Sequence, residues 1–570
     1  MLPLSFRDQP HQGDVVSLAQ EGIHPLLAEC LARRGVADPT VAKLQQKVLH
    51  YSQLKGIRET ALGLAQGIIN KEKMVVVADY DCDGATACAV AVSGLAALGA
   101  DIDFVVPDRL VHGYGLTPSV VHVAMKKSPR HIITVDNGIA SIDGVNEALK
   151  LNLKVWVTDH HLPGPALPSA TGIVNPNQPD CPFPSKNLAG CGVMFYVLWA
   201  TRDALKSLGQ NVSIDINDWL DVVALGTVAD VVKLDENNRW LVQQGLLRIR
   251  KGMMRPGIHA LFEVSNRDWT HATSSDFGFS LGPRLNAAGR LSDMSIGIRC
   301  LLSTDDDEAM SLAQELCVLN EDRKDIESVM KSIALDQNTE QKEQGRFTRV
   351  VFGEEFHEGV IGIVAGRIKE LEYVPTIVFA PASNEKGILK GSGRSIPSIH
   401  LRDAIDVVYK KNPHWFVKFG GHAMAAGLSL HQEHLEGFQE EFEAVIKDML
   451  NGEMPSQTLT TDGYFPWSKM NIDLAKTLTQ SVWGQGFEEP VWIGDFRVLG
   501  IDYLGQEKNH LRMHVEALDS SGNACGEFKA LHFFGTENAP SEQSVVTMAY
   551  RVQHSTFRGR ESVDIMVVDR

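Results

Sequence analysis

The chain of 570 residues has room for about four compact units at roughly 150 residues each, which excludes a single small binding module. Hydrophobic residues make up 44%, charged residues 22% and aromatics 7%, the balance of a chain that buries ordinary cores rather than staying disordered. With 54 Lys and Arg against 71 Asp and Glu the net charge is −17, so no overall basic surface exists to coat a nucleic acid, and a polyanion must bind in a local basic groove or through metal ions.

The start, MLPLSFRDQPHQGD, lacks a basic segment followed by an apolar run, and no apolar stretch approaches the roughly 20 residues that cross a bilayer. The eight cysteines form no C-x-x-C pair. These features lead to the expectation of a cytoplasmic protein with reduced thiols, no membrane anchor and no structural zinc. Residues 1–70 read as an N-terminal helical cap, with apolar residues at three- and four-residue spacing in HPLLAECLARRG and ETALGLAQGIIN. From 71 to 303 short apolar runs (MVVVAD, DIDFVVP, HIITVD, LKVWVTD) alternate with helical patterns, the rhythm of a parallel sheet with helices on both faces. Runs in this region end in Asp79, Asp136 and Asp159, at the sheet edge where open α/β folds bind ligands.

The charged segment 304–345 predicts a long connecting helix, solvated between two domains. A second α/β domain is expected over 346–452, with strands RVVFG and TIVFA and a flexible Gly/Ser loop at KGSGRS. Five short alternating runs over 453–570 (DFRVLGIDY, HLRMHVEAL, EFKALHFFG, VVTMAYRV, SVDIMVVD) suit a closed OB-like β-barrel. The fold class is therefore α/β with a C-terminal barrel.

VVVADYDCDGATA places Asp79, Asp81 and Asp83 at alternate positions, so an extended backbone would turn their carboxylates to one face. Crowded like charges raise one another's pKa, a penalty that divalent cations remove. Taken alone, an Asp-Gly turn with solvated acids explains the string. It has company: TVDNGIA presents Asp136, VTDHHLPG presents Asp159, His160 and His161, and DVVALGTVADVVKL adds Asp230. A lone histidine is more often a core or surface group than a ligand, but adjacent histidines at a carboxylate-rich sheet edge reverse that preference. Several carboxylates with one or two imidazoles suit Mn²⁺ or Mg²⁺. Two such ions about 3.5–4 Å apart serve in-line phosphoryl displacement, so phosphoester or phosphoanhydride hydrolysis is indicated, and spacing alone does not choose between them.

VVVADYDCDGATA, VDNGIA and VTDHH resemble the first three motifs of the DHH phosphoesterase superfamily, named for its Asp-His-His triplet. GTVADVVKLDENNR, GPRLNAAGRLSD, HEGVIGIVAGRI, KGSGRS and GGHAMAAGL resemble motifs of its RecJ branch, so the similarity runs from about residue 70 to the C-terminus. The resemblance implies a DHH catalytic domain, a DHH-associated substrate-binding domain and an OB-like single-strand-binding domain. It implies a single-stranded-DNA-specific 5′→3′ exodeoxyribonuclease, acting in DNA repair and recombination with two Mn²⁺ or Mg²⁺ ions. The partners implied are single-stranded DNA, a single-strand-binding protein and a helicase, with the chain a monomer. Asp81, Asp83, Asp136, His160 and Asp230 are implied as metal ligands, Asp136 bridging, with Asp79 and Asp159 orienting them and His161 facing the phosphate. Where many DHH phosphoesterases have a further histidine ligand, this chain has Val77.

For substrate, the resemblance implies Arg109 and Tyr114 as channel wall and Arg284 at the scissile phosphate. It implies Ser392, Arg394 and Ser395 at the 5′-terminal phosphate, and GGHAMAAGL adds Gly420, Gly421 and His422, as phosphate contacts or as a structural turn. Residues 384–423 hold seven Lys and Arg against three Asp and Glu, a local reversal of the chain's charge. In the barrel, Phe496, Tyr503, His510, Phe528, Phe533, Phe534 and Tyr550 are candidates for base stacking, although most aromatics in a small barrel are core. The alternatives are a DHH phosphodiesterase acting on short oligoribonucleotides or cyclic dinucleotides, against which the added barrel counts, and a non-catalytic single-strand-binding scaffold, against which the full aspartate and histidine set counts.

Overall fold

In the N-terminal cap, apolar helices Pro25–Ala32 and Ile57–Ile69 pack as their spacing predicts, preceded by a strand that the pattern did not reveal. The computed structural model describes the whole chain except residues 46–47, 109–111, 506–507, 537–538 and 558. The short strand β1 (Leu4–Phe6) pairs in parallel with Leu459–Thr461. Three residues are too few to show a strand period, and the partner is remote in sequence.

Strands β2 (Met74–Ala78), β3 (Ile102–Val105), β4 (His131–Val135) and β5 (Lys154–Thr158) form the expected parallel sheet, joined at its edge by β6 (Gly172–Val174), which the pattern did not reveal, in the order β3-β2-β4-β5-β6. The period of two is visible in β2: Met74, Val76 and Ala78 enter one core, Val75 and Val77 the other. Helices Cys82–Ala97 and Gly190–Ser207 cover the first face, helices Pro118–Met125 and Ile142–Lys150 the second. The chain steps from β2 to β3 and then crosses to β4, so the carboxyl ends of β2 and β4 flank the topological switch point. Asp79 follows one of these strands and Asp136 the other.

Helix Asp306–Glu343 spans 38 residues and connects the two α/β units as expected. It is more than a solvated spacer, because Ala309, Ala313 and Leu316 are buried in the first core while Met330 and Ala334 are buried in the second unit. The second unit is built on β7 (Arg349–Phe352), β8 (Thr376–Pro381), β9 (Ile388–Arg394), β10 (Phe416–Gly421) and β11 (Ala425–His431), ordered β10-β11-β9-β8-β7. Here the expected KGSGRS loop is corrected: its first five residues lie in β9, the middle strand. Its glycines are packing devices rather than hinges. A Cβ at Gly391 would lie 2.5 Å from the Phe379 ring, and one at Gly393 2.7 Å from Leu401 Cδ2.

After the Leu459–Thr461 strand (β12), strands β13 (Trp492–Leu504), β14 (His510–Leu518), β15 (Ala524–His532), β16 (Val545–Phe557) and β17 (Arg560–Asp569) close the expected barrel. Phe496 and Tyr550 are barrel core and Phe528 packs on Trp467, whereas Tyr503, Phe533 and Phe534 are exposed, with His510 in ring contact with the last two. All eight cysteines are unpaired. Among the described residues no helix is long and apolar enough to cross a membrane.

The barrel unit is joined to the cap by a buried bidentate pair, Arg34 to Asp462 at 2.8 and 2.9 Å. Beside it Glu489 sits 3.8 Å from Arg551; burial outweighs both arginines and raises its carboxyl to about 7. A folded-state pKa above the unfolded one favours the protonated form. Stability is therefore lost as pH rises from about 4.5 to 7 and is constant above, a penalty of order 3 kcal/mol. Glu489→Gln is expected to raise the melting temperature at pH 8 and to leave it nearly unchanged at pH 4.5, measured by thermal unfolding; equal shifts at both values would show that the carboxylate's charge is not the cause.

Candidate metal centre

The first acidic string does not stay extended. Asp81 is the N-cap of helix Cys82–Ala97, accepting Gly84 N–H at 2.9 Å, and Asp83 lies in the first turn. Asp83 in turn accepts Gly190 N–H at 2.5 Å and Cys191 N–H at 2.9 Å, from the start of helix Gly190–Ser207. Two backbone donors at a helix N-terminus fix the position of the Asp83 carboxylate. The acids thus converge through a strand-to-helix turn and not through alternation along an extended chain.

Asp136 follows β4 in the left-handed region, φ +60°, and its N–H donates to Thr158 O at 3.0 Å. Asp159 accepts Ile139 N–H, His160 N–H, His161 N–H and His161 Nδ1 at 2.7–3.1 Å. Burial alone would push its carboxyl up, but these bonds outweigh burial and hold it below its usual value. Burial likewise pulls the His161 imidazole down, and Asp159 outweighs it, setting His161 at about 8. Asp230 caps helix Leu220–Ala229.

The decisive feature is a set of unsatisfied atoms. Asp136 Oδ1, His160 Nε2 and Asp230 Oδ2 are buried without a hydrogen-bond partner among the described residues. His160 Nε2 lies 3.1 Å from Asp136 Oδ1, 3.6 Å from Asp230 Oδ2 and 4.0 Å from Asp83 Oδ2. Burial, then mutual repulsion, raises the carboxyls of Asp79, Asp81, Asp136 and Asp230. Buried acceptors facing one another are costly unless something neutralises them. Three overlapping sets can each enclose a cation: Asp136, His160 and His161; Asp83, His160 and Asp230; Asp79, Asp81 and Asp136. The donors, hard oxygens with imidazole and no thiolate, fit Mn²⁺ or Mg²⁺. Val77 is buried in β2 and adds no ligand.

Tyr114 borders the cluster, its hydroxyl 3.3 Å from both His161 Nε2 and the Asp136 carbonyl. Arg109 lies outside the described residues. Arg284, in helix Gly282–Leu291, donates to Ser280 O at 2.7 Å; among the described residues its Nε is buried without a partner and no contact joins it to the carboxylates.

In the second unit Ser392 and Arg394 stand on one face of β9, 3.2 Å apart. Both lie against Gly362 at the start of helix Ile361–Glu372, where a Cβ would meet Ser392 Oγ at 2.9 Å and Arg394 Nη2 at 3.0 Å. Ser395 does not share that face: it is fully buried and its hydroxyl donates to Ile399 O at 2.9 Å, so it holds the turn after β9. Gly420 and Gly421 end β10, and His422 donates its N–H to Ala425 O at 2.8 Å across the hairpin. Burial, and behind it the charges of His161, Arg402 and His400, lower the His422 imidazole.

Two residues that sequence reasoning missed hold the acidic turn. Asn286 Oδ1 accepts Cys82 N–H at 2.8 Å. Gly190 leaves no room for a side chain, since a Cβ would lie 2.6 Å from Asp136 Cβ. Asn286 stood inside the GPRLNAAGR string and could have been found there; Gly190 had no signal beyond a small residue before an apolar helix.

Residues 73–227 match the DHH family N-terminal domain, 345–448 the DHHA1 domain and 461–569 the RecJ OB domain. The chain is 41% identical over 553 residues to the single-stranded-DNA-specific exonuclease RecJ of Haemophilus influenzae, covering 95% of this chain and 96% of that one. The chain belongs to the RecJ family. The RecJ of Escherichia coli is 43% identical over 556 residues, 95% of each chain. The crystal structure of RecJ from Thermus thermophilus in complex with Mn²⁺ has a TM-score of 0.81 at 27% identity, covering 100% of this chain and 79% of that one. The stretch matching the RecJ OB domain contains the closed barrel β13–β17, and the DHHA1 match contains β9 with Ser392 and Arg394.

Proposed function

We propose that this chain is a metal-dependent exonuclease that degrades single-stranded DNA from its 5′ end to 5′-mononucleotides, threading the strand between the two α/β units. The observation that carries the reading is the trio of buried, unsatisfied ligand atoms on Asp136, His160 and Asp230, in a chain of the RecJ family. Asp81, Asp83, Asp136, His160 and Asp230 would hold two Mn²⁺ or Mg²⁺ ions, with Asp136 between them. When bound, such ions supply an activated water and neutralise charge developing on the phosphate and the leaving oxygen.

Asp79 crowds the cluster with negative charge, and Asp159 fixes the orientation of the His160–His161 segment through its backbone bonds. Asp159 also holds the His161 ring through Nδ1, which leaves His161 Nε2 and the Tyr114 hydroxyl to meet a phosphate oxygen. Arg284 would supply guanidinium charge to the scissile phosphate, and family resemblance supports Arg109, with Tyr114, in contact with the strand. Ser392 and Arg394, facing the N-terminus of helix Ile361–Glu372, receive the 5′-terminal phosphate, with Gly420, Gly421 and His422 beside them. The reading extends to a cytoplasmic monomer in DNA repair and recombination, working with a helicase and a single-strand-binding protein; family membership is its support.

End-labelled single strands and duplexes, incubated with Mn²⁺, Mg²⁺ or EDTA, test the proposal. Mononucleotides should leave from the 5′ end of single strands only, and none in EDTA; cleavage in EDTA or release from the 3′ end would sink it. Arg394→Ala is expected to slow 5′-phosphorylated strands roughly 10- to 100-fold, the worth of a hydrogen bond to a charged group, and 5′-hydroxyl strands far less. Equal losses on both would remove Arg394 from end recognition.

A further inference from the structure

We propose that a turn of the C-terminal unit, Gly484 to Phe487, is a positioning element of the metal centre, acting through the loop that leaves Asp230. This rests on Asp230 being a metal ligand. The residue after Asp230 is Val231, at φ +61°. A β-branched residue in the left-handed region is strained and persists only where its surroundings hold it. Its own side chain cannot do so, being 62% exposed. Its N–H donates to Val228 O at 3.2 Å in the last helical turn, and the remaining restraint comes from the residues that follow.

Those residues are pinned from two sides. On one side Asp235 Oδ2 accepts Ser185 Oγ at 2.7 Å and Asn187 Nδ2 at 3.0 Å, within the first α/β unit. On the other, Leu234 is buried and donates its N–H to Gln485 O at 2.8 Å. Gly484 and Phe487 form a tight bridge, and the backbone of this turn comes so close that a Cβ at Gly484 would lie 2.6 Å from Leu234 Cδ1 and one at Gly486 2.7 Å from Lys233 Cγ. Phe487 is buried and stacks between Trp483, at 5.5 Å and 14°, and the Arg239 guanidinium, 3.8 Å from its ring centroid. Arg239 belongs to helix Glu236–Arg250, the element that the loop enters. Trp483 O accepts Ser274 Oγ at 2.7 Å, which anchors the turn to the catalytic unit a second time. Removing the turn would let Val231 relax out of the left-handed region and swing Asp230 Oδ2 away from His160.

The test uses the full chain and reads Mn²⁺ binding directly, from the electron paramagnetic resonance of free Mn²⁺, alongside cleavage and melting temperature. Phe487→Ala should weaken Mn²⁺ binding and raise the Mn²⁺ needed for cleavage by about 10- to 100-fold, with KM for DNA little changed. Phe487→Leu should recover most of the affinity. Val231→Gly placed in the Phe487→Ala chain should also recover it, because glycine adopts the left-handed conformation without strain. Gly484→Ala, which crowds Leu234 without removing a side chain, should show the same effect at smaller size and serves if Phe487→Ala does not fold. Loss of Mn²⁺ affinity in Asp230→Ala but not in folded Phe487→Ala or Gly484→Ala overturns the proposal, as does a loss that tracks melting temperature and is not recovered by Val231→Gly. Unchanged affinity in Asp230→Ala instead overturns the ligand assignment beneath it.

Discussion

Asp136→Asn is expected to lower cleavage by at least about 1,000-fold, some 4 kcal/mol of transition-state stabilisation, while leaving the apo fold as stable as the parent or more so. Among the described residues, Asp136 belongs to two of the three sets able to enclose a cation, and its Oδ1 is buried with no hydrogen-bond partner. Burial raises its carboxyl first, and Asp83, Asp81, Asp79 and Asp230 raise it further. Removing that charge therefore relieves repulsion in the apo protein as it destroys the ion site. Asparagine is the cleaner replacement than alanine because it tolerates the φ of +60° at this position. In EDTA the variant should melt no lower than the parent; in Mn²⁺ the parent's melting temperature should rise and the variant's should not, since only a folded state that binds the ion is stabilised by it. A Mn²⁺-loaded variant cutting at near-parental rate would remove Asp136 from the centre.

Gly190→Ala should also damage the site, by a smaller factor, although Gly190 itself supplies no ligand atom. The added methyl group would sit 2.6 Å from Asp136 Cβ and 2.8 Å from Asp136 Oδ1. Gly190 opens a helix whose first N–H groups hold Asp83, so the strain can be relieved only by moving Asp136 or by backing the helix away from Asp83. Either movement spoils a ligand position, with an expected fall of about 10- to 100-fold in Mn²⁺ affinity and in rate at limiting Mn²⁺. The higher helix propensity of alanine offsets part of any loss of stability, so the melting temperature should change less than the affinity. Parental Mn²⁺ titration and rate in a folded Gly190→Ala chain would show that the packing around Asp136 is not what sets the site.

Local regularity explains which features were legible. Four of the five strands of the first sheet, the long helix and the five barrel strands follow from apolar runs, their spacing and the turn residues between them, all of which are short-range signals; the three-residue β6 was too short to show one. The strings holding Asp79, Asp136 and Asp159 to His161 were legible for the same reason: each sits directly after a strand, where the edge of a parallel sheet gathers ligands, whereas Asp230 caps a helix. KGSGRS misled because glycine is locally a loop signal. In β9 the glycines are there because Phe379 and Leu401 occupy the space of a side chain, and those neighbours are invisible in the string itself. Ser395 followed the same string but turns inward to Ile399.

The sequence by itself determined the order of units, the chemistry of the ligand set and the sign of the basic stretch over 384–423, because residue type and period act over a few neighbours. The tertiary structure decided how the ligands meet. Asp83 is held by a helix that begins more than a hundred residues later, and Asp136 fits only because position 190 has no side chain. Asn286 fixes the turn between Asp81 and Asp83 from a distant helix, and Leu234, close behind Asp230, rests on a turn of the C-terminal unit. Such contacts join segments remote along the chain through backbone donors and excluded volume, which leave no period and no motif in the residues that make them.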